Sequence, residues 1–257
     1  MKERILTAIV LLAIVVGALF LDPTGWATRI LVVLIAGVVG SELGKLIRVP
    51  LLWIPLLLAV GLSIFLAGPT LSILVVAFLV SMPLLWYGMA KDSRFIAGAA
   101  GFCWVYCSLV PFFLLASAKN PAFWPLLMTA AIPIWCGDTA AIFVGKAIGK
   151  HKMAPDISPK KTWEGAAGNF LACVLAGLVL GVIFHYPLAW MALLGLNCGI
   201  LGQAGDLFES WLKRKADVKD SGTILPGHGG VLDRIDSLMA TAPISLLILQ
   251  SLLPVTK

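Results

Sequence analysis

Residues Trp163–Phe184 read WEGAAGNFLACVLAGLVLGVIF, an apolar run whose only charged residue, Glu164, stands near its start. A helix needs about 20 such residues to cross the ~30 Å hydrocarbon core of a bilayer. Runs of this length recur along the chain, and of its 257 residues 60% are hydrophobic and 12% charged. A soluble domain carries about 25% charged residues, so the sequence predicts an integral membrane protein.

The apolar runs predict an all-α, polytopic helical bundle of about nine transmembrane helices with no soluble domain. The predicted spans are Ile5–Leu21, Trp26–Gly40, Val49–Ala67, Pro69–Tyr87, Phe95–Ala116, Ala122–Val144, Trp163–Phe184, Pro187–Asp206 and Val231–Leu253. Lys2 and Arg4 precede the first span, as basic residues precede a secretory signal, but no small-residue cleavage site follows it. We therefore interpret this span as a retained helix.

Basic residues and the two longest loops fall on the same side of this topology. With nine crossings and a cytoplasmic N-terminus, most of the 19 lysines and arginines lie in cytoplasmic segments, among them residues 145–162 and 207–230. The positive-inside rule selects this orientation, so we expect a multi-pass protein of a bacterial-type inner (plasma) membrane. The net charge of +6 would attract anionic head groups and polyphosphates. We expect no nucleic-acid partner.

The two halves of the chain differ in where their acidic residues lie. In residues 1–118 the few acids, such as Glu42 and Asp92, stand at ends of predicted helices, and we interpret this half as a hydrophobic helical scaffold. Residues 119–257 place polar groups inside or at the lips of apolar spans, namely Asp138, Glu164, Asn169, Asp206, Asp233 and Asp236. An ionised side chain costs several kcal/mol there unless it is paired or hydrated. We therefore predict a polar cavity and a catalytic transmembrane region with cytoplasmic motif loops in this half.

Three aspartates are the candidate metal ligands. Asp233 and Asp236 lie three residues apart on one predicted helix, so their carboxylates project from one face, and Asp206 closes the preceding predicted helix. If the loop between the helices folds back, the three carboxylates converge at the lip of a cavity. Oxygen ligands of this kind favour magnesium. The alternative is that Asp233 pairs with Arg234 or caps its own helix.

A glycine-rich turn lies between these acids. Residues 226–230 read PGHGG, and their glycines can adopt positive φ, so that successive N–H groups form an anion-binding nest beside a helix N-terminus. An ordinary tight turn is the alternative. Lys213, Arg214 and Lys219 add positive charge nearby, and Asp220 adds another acid. Local pairing among these charges and recognition of a charged ligand both remain open.

Residues 137–165 form a second candidate segment. Lys160 and Lys161 follow Ser-Pro, a stiff turn that would present two ammonium groups to a phosphate at the membrane surface. A phosphate-binding P-loop is excluded, because the lysines that follow its glycines, Lys146 and Lys150, are not succeeded by Ser or Thr. We expect neither His151 nor the histidine at 185 to have a partner for acid–base chemistry.

The segment Ser210–Asp236 reads SWLKRKADVKDSGTILPGHGGVLDRID. It resembles the long motif of the phosphatidate cytidylyltransferases, also called CDP-diacylglycerol synthases, which runs S-x-x-K-R, K-D and P-x-H-G-G-x-x-D-R-x-D. The matched positions are Ser210, Lys213, Arg214, Lys219, Asp220, Pro226, His228, Gly229, Gly230, Asp233, Arg234 and Asp236. Residues 137–165, with SPKKTWEG, and residues 203–210 are also similar to the family pattern. The resemblance therefore covers the C-terminal half.

The resemblance implies transfer of a cytidylyl group from CTP to phosphatidic acid, giving CDP-diacylglycerol and pyrophosphate in phospholipid biosynthesis. Magnesium is implied as the cofactor, with a second cation left open; Asp206, Asp233 and Asp236 would hold the metal as catalytic residues, and Asp220 would bind metal or orient a base. The implied substrate-binding residues are Lys160, Lys161, Ser210, Lys213, Arg214, Lys219, His228, Gly229, Gly230, Arg234 and Asp138. A homodimer in the lipid bilayer is implied as well.

Two other classes of function remain as alternatives. An ion-coupled secondary transporter also places acids within membrane spans, although such acids usually lie on broken helices near the bilayer midplane. Another membrane lipid enzyme that uses CTP, such as a polyprenol kinase, is the second alternative. A CDP-alcohol phosphotransferase would show a DGxxAR motif, and this sequence has none.

Overall fold

The computed structural model describes residue 17 and residues 26–62, 71–117, 123–227 and 229–251. The helices are α1 (Trp26–Leu46), α2 (Trp53–Leu62), α3 (Leu71–Ala90), α4 (Arg94–Ser117), α5 (Phe123–Ile148), α6 (Trp163–Ile183), α7 (Leu188–Asn197), α8 (Gln203–Lys215) and α9 (Leu232–Gln250). A hairpin of β1 (Lys152–Ala154) and β2 (Ser158–Thr162) lies between α5 and α6. The first predicted span, Ile5–Leu21, lies outside the described residues except for residue 17.

Apolar helices dominate the described part of the chain, which confirms a mostly helical membrane protein. The segments long and apolar enough to cross a bilayer are Trp26–Leu46, Met128–Ile148, Trp163–Ile183 and Leu188–Lys215. Shorter apolar helices cover Trp53–Leu62, Leu74–Ala90 and Arg94–Val110. On α6, Leu171, Leu175 and Val179 are exposed at four-residue spacing, as expected of a helix face that contacts lipid. The total of nine crossings stays a prediction.

The all-α prediction misses the hairpin. Lys152 pairs with Thr162 and Ala154 with Ser158 in an antiparallel ladder with a register shift between the two pairs. Thr162 then has extended backbone angles, and its hydroxyl accepts a hydrogen bond from the Gly165 N–H (3.1 Å), so that it caps the N-terminus of α6. The hairpin therefore leads directly into a transmembrane helix, and this places the two lysines of β2 one turn from the start of that helix.

Helix α7 continues through a π-helical turn, Cys198–Gly202, into α8, so that Leu188–Lys215 is one continuous helix. The prediction that Asp206 closes its helix is wrong, because Asp206 lies in the first turn of α8 and the helix ends at Lys215. The residues after Gln203 are more polar, but they still favour a helix as far as Lys215. The helix therefore extends beyond the end of the hydrophobic run.

The described residues cluster into two compact units. The first unit comprises those up to Phe123 together with Leu212–Ile235. Within it, α3 packs against α4, and α1 packs against α2 and α4. Small residues allow close contact, since a Cβ on Gly88 would lie 2.6 Å from the Ala97 nitrogen.

The second unit comprises Trp124–Trp211 and the described residues from Asp236 onward. Here α6 packs against α7 and the π-helical turn, and a Cβ on Gly195 would lie 2.6 Å from the Val174 Cα. The Asn197 side-chain amide donates to the Thr241 carbonyl (3.1 Å) and to the Ser245 hydroxyl (2.9 Å). These bonds tie α7 to α9 inside the unit, where a buried amide needs partners.

Candidate active site

The loop of residues 216–231, here called the motif loop, borders a cavity in the first unit. The cavity has a volume of about 600 Å³, and Lys219, Asp220 and Arg234 contribute to its lining. Gly227 (φ 73°) and Gly229 (φ 85°) also line it. Both glycines adopt the positive φ that the sequence predicted, and a Leu225 N–H to Gly229 carbonyl bond (2.9 Å) closes the turn. His228 lies outside the described residues.

Asp233, in the first turn of α9, holds the motif loop together. Its Oδ2 accepts hydrogen bonds from the Ser221 N–H (2.9 Å), the Ser221 hydroxyl (3.0 Å) and the Gly230 N–H (2.8 Å). Its Oδ1 pairs with Lys213 Nζ at 2.7 Å, and only 5% of the Asp233 side chain is exposed. The Gly230 bond is the helix-capping role considered from the sequence, and Lys213 forms an ion pair with this carboxylate.

The other basic residues of the motif differ from Lys213 in exposure. Arg214 is exposed, and its guanidinium donates to the Val218 carbonyl (2.9 Å). Lys219 and Arg234 are exposed at the cavity lining, beside Asp220. The motif loop therefore offers basic side chains to a ligand in the cavity, whereas Lys213 has its ammonium on a buried carboxylate.

A second cavity, of about 510 Å³, lies within the second unit. Its lining includes Asp138, Asn169, Lys160, Lys161 and Asp206. Lys161 Nζ pairs with Asp206 Oδ2 at 2.7 Å, and the Asn169 amide donates to Asp138 Oδ1 (3.3 Å). The cavity brings together the predicted acids of α5 and α8. Both carboxylates have polar partners, as groups within apolar spans require.

Asp206 has a second hydrogen-bond donor and a specific helical environment. The Ser210 hydroxyl donates to Asp206 Oδ1 at 3.4 Å, one turn along α8. One turn earlier, Gln203 Nε2 donates to the Gly199 carbonyl (2.6 Å) in the π-helical turn and to the Ala166 carbonyl (3.2 Å) on α6. A π-helical turn changes the rotational phase of the residues after it. The Gln203 amide therefore joins this turn to α6 one turn before Asp206.

His151 does have a partner, contrary to the prediction from sequence. Its Nδ1 lies 2.6 Å from Glu164 Oε1, and its backbone N–H donates to both oxygens of that carboxylate (3.3 Å each). This pair could not be predicted from the sequence, because the two residues are 13 positions apart and meet through the β1–β2 hairpin. Glu164 thereby ties the start of the hairpin to the first turn of α6.

Comparison with known proteins settles the family. The model of the cytidylyltransferase family matches residues 2–252. The chain belongs to the cytidylyltransferase family.

Two of three individual relatives cover the chain almost completely. A phosphatidate cytidylyltransferase of Staphylococcus aureus (strain COL) is 35% identical over 262 residues, covering 98% of this chain and 100% of the relative. One of Staphylococcus haemolyticus (strain JCSC1435) is 35% identical over 252 residues, covering 95% of this chain and 97% of the relative. One of Brucella suis biovar 1 (strain 1330) is 43% identical over 145 residues, or 56% of this chain and 53% of the relative.

The three predicted metal ligands differ in how accessible their carboxylates are to a cation. Asp206 keeps 36% of its side chain exposed beside a cavity, so its carboxylate fits a hard cation. Asp233 is surrounded by donors, and a cation would have to displace Lys213 to reach Oδ1. Asp236 Oδ1 accepts the Ser237 N–H (2.7 Å). No group of three or more His, Cys, Asp or Glu among the described residues is placed to hold a metal, so this assignment stays a prediction.

Sequence reasoning missed two residues that shape the site. Glu42, interpreted as an acid at a helix end, is buried and accepts hydrogen bonds from the Val231 and Leu232 N–H groups, and the Ser221 hydroxyl lies 3.2 Å from its Oε2. Ser221 contacts both Glu42 and Asp233. The sequence does show an acid in an otherwise apolar helix. However, Lys45 lies three residues later, where it could pair with Glu42 on the same helix face.

Proposed function

We propose that this protein transfers the cytidylyl group of CTP to phosphatidic acid, forming CDP-diacylglycerol and pyrophosphate. The supporting observation is the family match over residues 2–252, together with relatives named phosphatidate cytidylyltransferase that align over their full length. In this reaction a phosphatidate oxygen forms a bond to the α-phosphorus of CTP, and the bond from that phosphorus to pyrophosphate breaks. No nucleophile from the protein is required.

We place the triphosphate of CTP in the cavity of the motif loop. Its volume of about 600 Å³ lies in the range of nucleotide-sized sites. Lys219 and Arg234 supply positive charge, and Gly227 and Gly229 let backbone N–H groups approach an anion closely. The family resemblance implies that Lys213 and Arg214 bind substrate too. For Lys213 we now favour a role through Asp233, since its ammonium is already bonded there.

We place the phosphate of phosphatidic acid in the second cavity. Lys160 and Lys161 lie there at the end of β2, and Asp138 and Asn169 line it along the helices. Lys161 now pairs with Asp206, and a lipid phosphate would compete with that carboxylate for the ammonium. Binding of the lipid would then release Asp206 from its ion pair, which leaves its oxygens available.

The cofactor we propose is Mg²⁺, with Asp206 as the ligand that fits it best and Asp233 and Asp236 as the further ligands assigned from the sequence. A bound magnesium ion neutralises charge on phosphoryl oxygens. The residues of the chain hold the two substrates: Lys219 and Arg234 hold the nucleotide, and Lys160 and Lys161 hold the lipid. Asp220 stands at the nucleotide cavity, where it would bind metal or orient a base.

The decisive experiment measures pyrophosphate release by purified protein in detergent with CTP, phosphatidic acid and magnesium, each omitted in turn. Release that needs all three, with CDP-diacylglycerol formed in step, supports the proposal. CTP turnover without CDP-diacylglycerol would favour another lipid acceptor, and no CTP turnover would favour an ion-coupled transporter. We also propose a homodimer in the inner membrane, which light scattering of the detergent-solubilised protein would test.

A further inference from the structure

Glu42 is a buried carboxylate of the first unit, near the end of α1. Only 1% of its surface is exposed. Its Oε1 accepts the Val231 N–H (3.0 Å), and its Oε2 accepts the Leu232 N–H (2.8 Å) and lies 3.2 Å from the Ser221 hydroxyl. Each oxygen therefore contacts the motif loop or the start of α9.

The environment of Glu42 explains why a carboxylate can be buried here. Among the described residues no ion-pair partner contacts it, so its charge is balanced by hydrogen bonds alone. Two of the three donors are backbone N–H groups at the N-terminus of α9, where the helix dipole favours a negative charge. A side chain of this kind stabilises one conformation of the loop, because a buried acceptor that loses its donors is destabilising.

Two glycines of the motif loop make room for Glu42. A Cβ on Gly222 would lie 2.6 Å from Glu42 Oε1, and a Cβ on Gly230 would lie 2.7 Å from the same oxygen. Neither glycine has a positive φ, so the space is limited by close contacts: by Glu42 at Gly222, and by the Ser221 hydroxyl together with Glu42 at Gly230. The loop and the side chain from α1 therefore fit each other closely.

Ser221 joins Glu42 to the residues assigned to the site. Its hydroxyl lies within hydrogen-bond distance of Glu42 Oε2 (3.2 Å) and Asp233 Oδ2 (3.0 Å). Asp233 in turn pairs with Lys213. We infer that Glu42 is a positioning residue, which holds the motif loop so that the cavity assigned to CTP keeps its shape. The expected effect on CTP kinetics rests on the proposed function. The expected effect on the motif loop rests on the geometry alone.

The kinetic test compares Glu42→Gln, Glu42→Asp and Ser221→Ala with the unaltered protein. Because the motif loop lines the cavity assigned to CTP, kcat/KM for CTP should fall about tenfold in Glu42→Gln, while KM for phosphatidic acid stays within about twofold. Glu42→Asp keeps the charge and should recover part of the loss. Combining Glu42→Gln with Ser221→Ala should cost less than the product of the single effects, since the two residues are in contact.

Asp92→Asn is the matched control, because Asp92 is also an acid of the first unit but is exposed and pairs with Arg48 at 3.6 Å. It should behave as the unaltered protein. A purely structural role for Glu42 would reduce the active fraction and lower kcat with both KM values unchanged. That result would overturn the inference, as would unaltered kinetics in Glu42→Gln.

Hydrogen exchange provides a readout that does not need activity. In Glu42→Gln, peptides covering residues 216–232 should exchange faster, because the amide keeps only one acceptor oxygen for the Val231 and Leu232 N–H groups and turns an NH₂ donor toward the other. Asp92→Asn should leave them unchanged. If the unaltered protein releases no pyrophosphate, the proposed function fails, and exchange alone decides the role of Glu42. Equal exchange in Glu42→Gln and in the unaltered protein would refute it.

Discussion

Two aspartate–lysine pairs of equal length differ in burial, and single substitutions should separate them. Asp233 and Lys213 are 5% and 11% exposed, whereas Asp206 and Lys161 are 36% and 25% exposed. Removing one partner of a buried pair costs about 3–5 kcal/mol, and the Lys213–Asp233 pair is closer to full burial than the Lys161–Asp206 pair. Asp233→Asn should therefore lower the stability in denaturant of the detergent-solubilised protein more than Asp206→Asn, while both abolish turnover.

A double variant tests whether the buried charge is the cause. Lys213→Met combined with Asp233→Asn removes both charges, and it should be more stable than Asp233→Asn alone because no unpaired ammonium is left buried. Retention of more than about a tenth of the turnover in Asp233→Asn, a loss of under ~1.4 kcal/mol in transition-state stabilisation, would reject a catalytic role for this residue. If Asp233→Asn and Asp206→Asn are equally stable, the burial of the ion pair does not determine how much stability its loss costs.

Gly230 should not tolerate a side chain. A Cβ there would contact the Ser221 hydroxyl oxygen and lie 2.7 Å from Glu42 Oε1. Overpacking of this kind costs about 1–3 kcal/mol, so Gly230→Ala should lower both the midpoint of thermal unfolding and the rate of pyrophosphate release. Gly61 is the control, since a Cβ there meets no atom within 4 Å. Unfolding of Gly230→Ala at the same temperature as Gly61→Ala would contradict the packing of the loop.

At the level of elements, the π-helical turn between α7 and α8 should depend on Gln203. Its amide donates to one carbonyl of the turn and to one on α6. Gln203→Met removes both bonds but keeps a side chain of similar volume, and it should lower the free energy of unfolding by about 1–3 kcal/mol. We expect a lower unfolding midpoint and reduced turnover, because the orientation of Asp206 is no longer fixed.

Thr139→Val is a suitable control for this substitution. Thr139 donates only to the Trp135 carbonyl of its own helix (2.8 Å), so its loss leaves contacts between helices intact. If Gln203→Met and Thr139→Val lower the unfolding midpoint equally, the bond from Gln203 to α6 has no special role.

The elements of the second unit show which structures the sequence could predict. Helices such as α6 could be predicted, because a run of apolar residues long enough to span a bilayer has few other solutions. The hairpin could not, since its strands of three and five residues are short, and β2 contains Pro159 and two lysines. The π-helical turn was also missed. Such a turn adds one residue to a helix, and when that residue is apolar the hydrophobic run shows no interruption.

For the whole molecule, candidate site residues could be named from the sequence, and their roles stay predictions, but their contacts could not be predicted. Acids and lysines near apolar spans are costly and therefore conspicuous, which made Asp206, Asp233 and Lys161 candidates. The bond from Val231 to Glu42 joins residues 189 positions apart. Local spacing carries no information about such a contact, so the first half of the chain was interpreted only as a scaffold.

The orientation of the chain in the membrane is the last prediction, and it follows from the order of its spans. One span, Trp163–Ile183, separates the hairpin from residue 185, and the span Leu188–Lys215 leads back to the motif loop. A membrane-impermeant maleimide should therefore label exposed Asp156→Cys and Val218→Cys from the cytoplasmic side, and His185→Cys only from the opposite side. The unaltered chain, with its five free cysteines, gives the background. Labelling of Asp156→Cys and His185→Cys from one side would mean that α6 does not cross the bilayer.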